Sequence, residues 1–151
     1  MRLRKRESEA AMPKRNVYSA YRFWVEIDGL MEAAFSECSG LQIETEVVEW
    51  EEGGENRFRH RFPGRVKYAS IVLKRGIANL DLWNWYVDVA NGKIQRQNLS
   101  VALYGYAGAP EMRWNLIKAL PVKWVGPTFK SSASEAAVET LELIYESIER
   151  V

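Results

Sequence analysis

Glu44-Thr45-Glu46-Val47-Val48-Glu49-Trp50-Glu51-Glu52-Gly53-Gly54-Glu55-Asn56-Arg57-Phe58-Arg59-His60-Arg61 is the stretch on which the reading of this chain turns. Six carboxylates lie between Glu44 and Glu55, and Arg57, Arg59 and Arg61 then follow at alternate positions. Alternate residues of a strand share a face, so the arginines form one cationic row opposite Phe58, His60 and Phe62. The loop from Glu51 to Asn56 holds residue types that tolerate positive φ, which makes it the tip of a hairpin with one acidic and one basic arm. Two readings of that hairpin stand. It pairs its own arms in solvent, where exposed ion pairs are worth about 0 to 1 kcal/mol, or it offers its acidic arm to the basic arm of a neighbouring copy in a head-to-tail assembly.

Outward from the hairpin the chain reads as strands and turns. Arg22 to Asp28 alternates Phe23, Val25 and Ile27 with polar or amphipathic residues and ends at Gly29. Gln42 to Trp50 is the acidic strand, and Phe62-Pro63-Gly64 is expected to break the basic one. Tyr68 to Arg75 reads as the next strand. Asn98 to Tyr106 and Glu111 to Leu120 bracket Ala107-Gly108-Ala109-Pro110, which predicts a hairpin matching Leu99, Val101 and Leu103 with Met112, Trp114 and Leu116. Pro121 is expected to limit how far that strand lies inside a sheet.

Two segments carry helical spacing. Leu80 to Asn91 places apolar residues on one arc, with Asn79 as cap, Gly92 as stop, and Leu82, Trp83, Trp85, Tyr86 and Val89 as the core side. An aromatic stripe of this kind is more often core than a platform for bases or sugars. In the last segment Glu135, Glu139, Glu142, Glu146 and Glu149 recur at four and three residues, an acidic helical face, against only moderate strand preference from Val138, Thr140, Ile144 and Tyr145.

The 151 residues are enough for one core without disulfides or a metal. Cys38 is the only cysteine and His60 the only histidine. Neither a disulfide framework nor the usual zinc spacings are present, so no metal and no cofactor are expected. No nucleophile sits in a recognised elbow, no glycine-rich loop leads into a helix with Lys-Ser/Thr, and the glutamates are too many to single out an acid–base pair, so an enzyme is not expected. No apolar run is long enough to cross a bilayer and no signal peptide is evident, so synthesis and folding in the cytoplasm are expected.

The net charge of +1 is uneven. Arg2, Arg4, Lys5, Arg6, Lys14 and Arg15 outweigh Glu7 and Glu9, leaving the body mildly acidic. Residues 1–16 therefore read as a disordered basic extension and 17–151 as the folded β domain. Met12 offers an alternative start, and a genuine extension and a start-site artefact both stand. The basic tail and the arginine row also leave open a small nucleic-acid-binding β-barrel, whose binding would weaken steeply with salt.

The ordered segments resemble the tail tube family of contractile phages and contractile injection systems. The resemblance is carried in order by Tyr21-Arg22-Phe23-Trp24-Val25-Glu26-Ile27, Phe35-Ser36-Glu37-Cys38-Ser39-Gly40-Leu41, Glu51-Glu52-Gly53-Gly54-Glu55-Asn56, Phe62-Pro63-Gly64, Leu73-Lys74-Arg75-Gly76, Leu82-Trp83-Asn84-Trp85, Asn91-Gly92-Lys93 and Glu139-Thr140-Leu141-Glu142-Leu143. It implies a mainly β subunit, an antiparallel β-sandwich or barrel with one flanking α-helix, six copies of which form a hexameric ring with a β-barrel lumen. Stacked rings would make an inner tube within a contractile sheath, with sheath, baseplate or hub and terminator proteins as partners. DNA or protein effector cargo would fill the lumen, and a target membrane would be traversed only as part of the tube. It also implies that 136–147 is a strand despite its helical spacing. For the charged hairpin, Glu44, Glu46, Glu49, Glu51, Glu52, Gly53, Gly54, Glu55, Asn56, Arg57, Arg59 and Arg61 are the expected ring-stacking residues.

Overall fold

The computed structural model describes residues 22–28, 35–51, 53–54, 59–105, 108 and 110–150. The basic extension, most of the hairpin tip (Glu52, Glu55, Asn56 and Arg57) and Phe58 lie outside the described residues.

The hairpin predicted from matching apolar alternation forms with the expected register. Strand β6 (Gln97–Tyr104) pairs antiparallel with β7 (Pro110–Val125), setting Leu99 opposite Leu116, Val101 opposite Trp114 and Leu103 opposite Met112. On its far side β6 pairs with β1 (Phe23–Ile27), where Val25 and Ile27 are buried as their alternation requires. β7 then turns a corner. Lys118 sits at φ 53° in a bulge, and its N–H donates to Asn98 Oδ1 at 3.1 Å. Bulges bend a strand and let it change sheets.

Before the corner β7 lies between β6 and β9 (Ser147–Arg150); after it, β7 pairs with β8 (Val138–Ile144). β8 pairs in turn with β5 (Ile71–Gly76), which carries β2 (Glu37–Ser39) at the far edge. The result is one curled seven-stranded antiparallel sheet, a half-barrel, as expected for the fold class. Pro121 corrects its expectation: it is fully buried within β7, beside a second register shift between Pro121 and Lys123. A bulge is where a strand tolerates a residue without an N–H.

The core is one cluster of buried side chains contributed by the sheet and the helix. Ile71 and Leu73 of β5, Leu141 and Leu143 of β8, Leu99 of β6 and Leu116 of β7 are fully buried. Each contributes about 1.5–3 kcal/mol of transfer free energy. Helix α1 (Asp81–Ala90) lies against β7 and inserts Leu82 and Trp85. Asn79 Oδ1 accepts the Asp81 N–H at 3.2 Å, and Asp81 places negative charge at the positive end of the helix dipole. At the other end Gly92 N–H reaches Val89 O and Lys93 N–H reaches Asp88 O, with Gly92 at φ 88°, the paired bonds of a Schellman stop. Tyr86 and Val89 pack at the core margin. Trp83 is a correction: it is 38% exposed and meets Trp124 edge-on, with ring centroids 4.6 Å apart, outside the buried cluster.

The segment with helical glutamate spacing is extended, as the resemblance implied, and splits into β8 and β9 at Tyr145-Glu146. Its partners are non-local: β5 on one side and β7 on the other. Ladder bonding and burial of Leu141 and Leu143 outweigh a weak local helical preference.

Strands β3 (Ile43–Trp50) and β4 (His60–Tyr68) form a separate two-stranded sheet, here called the arm. Phe62-Pro63-Gly64 does not break β4, contrary to expectation. The strand absorbs it as a bulge, with Gly64 and Arg65 facing Glu46 between the pairs Val47↔Pro63 and Thr45↔Val66. A Cβ on Gly64 would stand 3.2 Å from the Glu46 carbonyl oxygen, which is why glycine suits the position. Tyr68 ends this strand instead of opening the next.

Candidate assembly surface

The arm projects from the half-barrel and packs mainly on itself. β4 is exposed throughout its length, and β3 is exposed at every position but Glu46. The contact seen at its root is Tyr68 against Tyr145, with ring centroids 5.8 Å apart. The Tyr145 hydroxyl is buried without a hydrogen-bond partner, and burial, then the neighbouring Tyr68, holds its pKa above the usual phenol value.

Along the arm the predicted charges meet within the chain. Glu49 takes Arg59 at 3.5 Å and Arg61 at 3.4 Å, and Glu51 takes Arg59 at 3.2 Å. Nearer the root Lys67 pairs with Glu46, whose hydrogen bond and charge, with Glu44 adding to them, raise the lysine pKa. The self-paired arrangement is therefore the one the single chain adopts. These pairs are solvated, and those of Arg59 and Arg61 are each worth under about 1 kcal/mol. They engage Arg59 and Arg61 with carboxylates of the same chain. Gly53 and Gly54 stand at the tip with open space around the position of a Cβ, and Gly54 is at φ 122°.

What sequence reasoning missed is the apolar content of the arm. Ile43, Val47, Val48, Trp50, Phe62 and Val66 are all at least half exposed. Their alternation with glutamate and arginine hid them behind the charge pattern.

A second element was also invisible to local reasoning. Arg75 and Glu139, both essentially buried, form an ion pair at 2.6 Å between β5 and β8. Glu139 Oε2 also accepts Trp124 Nε1–H at 3.0 Å, and Arg75 Nη2 donates to Asn79 Oδ1 at 2.8 Å, the atom that caps α1. The guanidinium lies 5.9 Å from the centre of the Phe35 ring. One network, buried at its Arg75–Glu139 centre and exposed at Asn79, thus ties the sheet to the start of the helix. Near it a groove of about 590 Å³ opens under residues 126–137, bordered by Lys74, Val138 and a Phe129 that is 86% exposed. Cys38 faces Leu73 across the β2–β5 ladder, and burial pushes its pKa up to about 11, far from a reactive thiolate. Among the described residues no group of three His, Cys, Asp or Glu side chains could hold a metal ion.

Residues 19–149 match the family described as T4-like virus tail tube protein gp19. The chain belongs to that tail tube family. Its structural likeness runs the same way. A chain of the anti-feeding prophage baseplate, solved by electron cryo-microscopy with six-fold symmetry, superposes with a TM-score of 0.82 at 28% identity, covering 90% of this chain and 96% of that one. A chain of the sheath–tube complex of the extracellular contractile injection system PVC, in its extended state, also gives 0.82, at 23% identity over 91% and 93%. Hcp1 from Flavobacterium johnsoniae shares the fold more distantly, with a TM-score of 0.54 at 13% identity over 86% and 94%. No match was found among the curated proteins. As a member of the tail tube family the chain is a structural protein of phage tails and contractile injection systems.

Proposed function

We propose that six copies of this chain close into a ring and that rings stack into the hollow inner tube of a contractile particle. A sheath surrounds that tube, a baseplate nucleates it and a terminator caps it. DNA or protein effectors pass through the lumen, and the target envelope is crossed only by the assembled tube. The arm is the element that joins copies, and its charged residues Glu44, Glu46, Glu49, Glu51, Glu52, Glu55, Arg57, Arg59 and Arg61 set register. The tip, Gly53-Gly54 with Asn56, fits closely against a neighbour.

One observation carries this reading. A two-stranded sheet standing alone in water is marginally stable at best, yet here it exposes apolar side chains on both faces. A surface of that kind is explained by partners that cover it. Cohesion then comes from apolar contact, while the solvated ion pairs contribute specificity. The six-fold symmetry of the baseplate relative supports the ring number.

Replacing residues 44–67 by a short Gly-Ser turn tests the assignment. The remaining half-barrel should melt close to the full chain, because the arm lends it little packing. Co-expressed with the other particle proteins, it should give no tubes in electron micrographs. Tubes of normal length from the armless chain would overturn the proposal.

A further inference from the structure

Cross-strand partners share a face of a sheet. On one face of the arm lie Ile43 opposite Tyr68, Thr45 opposite Val66, Val47 opposite Pro63 and then Glu49 opposite Arg61. On the other lie Glu44 opposite Lys67, then Val48 opposite Phe62 and Trp50 opposite His60. The two faces are therefore out of phase. The first is apolar near the body and charged near the tip; the second is charged near the body and apolar near the tip. The change falls at the bulge around Glu46 and Gly64. Val47 and Val48, adjacent in sequence, are 61% and 50% exposed on opposite faces.

The charges follow the same rule. The Lys67–Glu46 pair and Glu44 back the apolar patch near the body, and the Arg61–Glu49 pair backs the one near the tip. A partner lying on one side covers only one apolar patch and leaves the other in water.

We infer that the arm is gripped from opposite sides by two different copies of this chain, one on the Ile43, Val47 and Val66 patch and the other on the Val48, Trp50 and Phe62 patch. This rests on the arm joining subunits, as proposed above. The occupant is a second copy because the chain matches a tail tube family along residues 19–149 and its 28% identical relative stands in a baseplate solved with six-fold symmetry, where each copy has copies of itself as neighbours. In a head-to-tail assembly each copy then gives one arm and receives two. The arm's ion pairs are formed within the chain, so the cohesion a covering surface supplies is apolar contact, and the charges beside each patch contribute register. Displacing the two patches along the arm also fixes register: sliding either neighbour by one bulge length brings its apolar surface onto glutamate, arginine or lysine, a mismatch that excludes wrong arrangements.

Two readouts on intact particles test this. Val47→Cys and Val48→Cys are labelled with a maleimide near neutral pH, in the isolated chain and in assembled particles; Cys38 is a slow background because burial holds its thiol protonated. Labelling at both positions should be lost on assembly. A benzophenone amino acid placed at either position should then form adducts with other copies of the same chain, and the two positions should capture different peptides. Adducts to a single peptide, or loss of labelling at one position only, would show a one-sided grip and overturn the inference while leaving the arm as an interface. An adduct to a different polypeptide at either position would overturn the second copy as occupant. Undiminished labelling at both positions in well-formed tubes would remove the arm from the interface altogether, defeating the proposed function along with the inference.

Discussion

In the body, Arg75 and Glu139 are 3% and 2% exposed and meet at 2.6 Å, with a tryptophan N–H on the second carboxylate oxygen. In the arm, Arg59 and Glu49 meet at 3.5 Å with most of the arginine and nearly half of the glutamate in water. The same pair of residue types therefore does two different jobs. Buried, the pair must be complete, because an orphaned charge costs several kcal/mol. Exposed, it is nearly dispensable to the single chain. The body stores the stability of the subunit, and in the proposed tube the arm carries the instructions for assembly.

The sharpest way to break that division is Glu139→Ala. It strands a buried guanidinium, orphans Trp124 Nε1 and should lower unfolding free energy by about 3–5 kcal/mol in a denaturant titration. Restoring neutrality with Arg75→Met and Glu139→Leu together should recover most of the loss, since matched apolar replacements of a buried pair are often neutral. A single-substitution loss under about 1 kcal/mol would mean that the network carries no such weight.

Gly40→Ala comes next. Gly40 sits at φ 90° where β2 leaves β5, and a Cβ would collide with the Ser70 carbonyl oxygen. Backbone on both sides of the clash has little room to yield, so a loss of about 1–3 kcal/mol is expected in the same titration. At the junction between the two regions the sign reverses. Tyr145→Phe removes a buried hydroxyl with no partner and keeps the ring against Tyr68, so stability should rise by up to about 1 kcal/mol.

These contrasts also explain how far the sequence could be read. The β6–β7 register was legible because Leu99, Val101 and Leu103 face Leu116, Trp114 and Met112 across a short connection, and both strands alternate cleanly. The helix was legible because its caps are local. Glu139 was not: it falls on an acidic helical period, and its partner Arg75 lies 64 residues earlier, so nothing nearby distinguishes it from Glu135 or Glu142. Pro63 and Pro121 misled for a related reason. Each reads as a strand breaker until a bulge accommodates it, and a bulge depends on the partner strand. In the arm the charges were legible and the exposed valines were not, because exposure is a property of what fails to pack against them.

The smallest effect on the free chain should come from Arg59→Glu, and it separates the two readings of the charged hairpin. The substitution faces Glu49 and Glu51 with a like charge in solvent, so the free chain should lose under about 1 kcal/mol. Adding Glu51→Arg returns an opposite pair at the 3.2 Å contact within the chain and leaves Arg61 on Glu49. If self-pairing is all these residues do, the double variant should restore both stability and tube length in electron micrographs. If they also fix register between copies, the free chain recovers while tubes remain short or absent, because both reversed charges now face neighbours arranged for the original signs. Recovery of stability without recovery of tubes is the expected outcome, and it would place the information carried by the arm between chains.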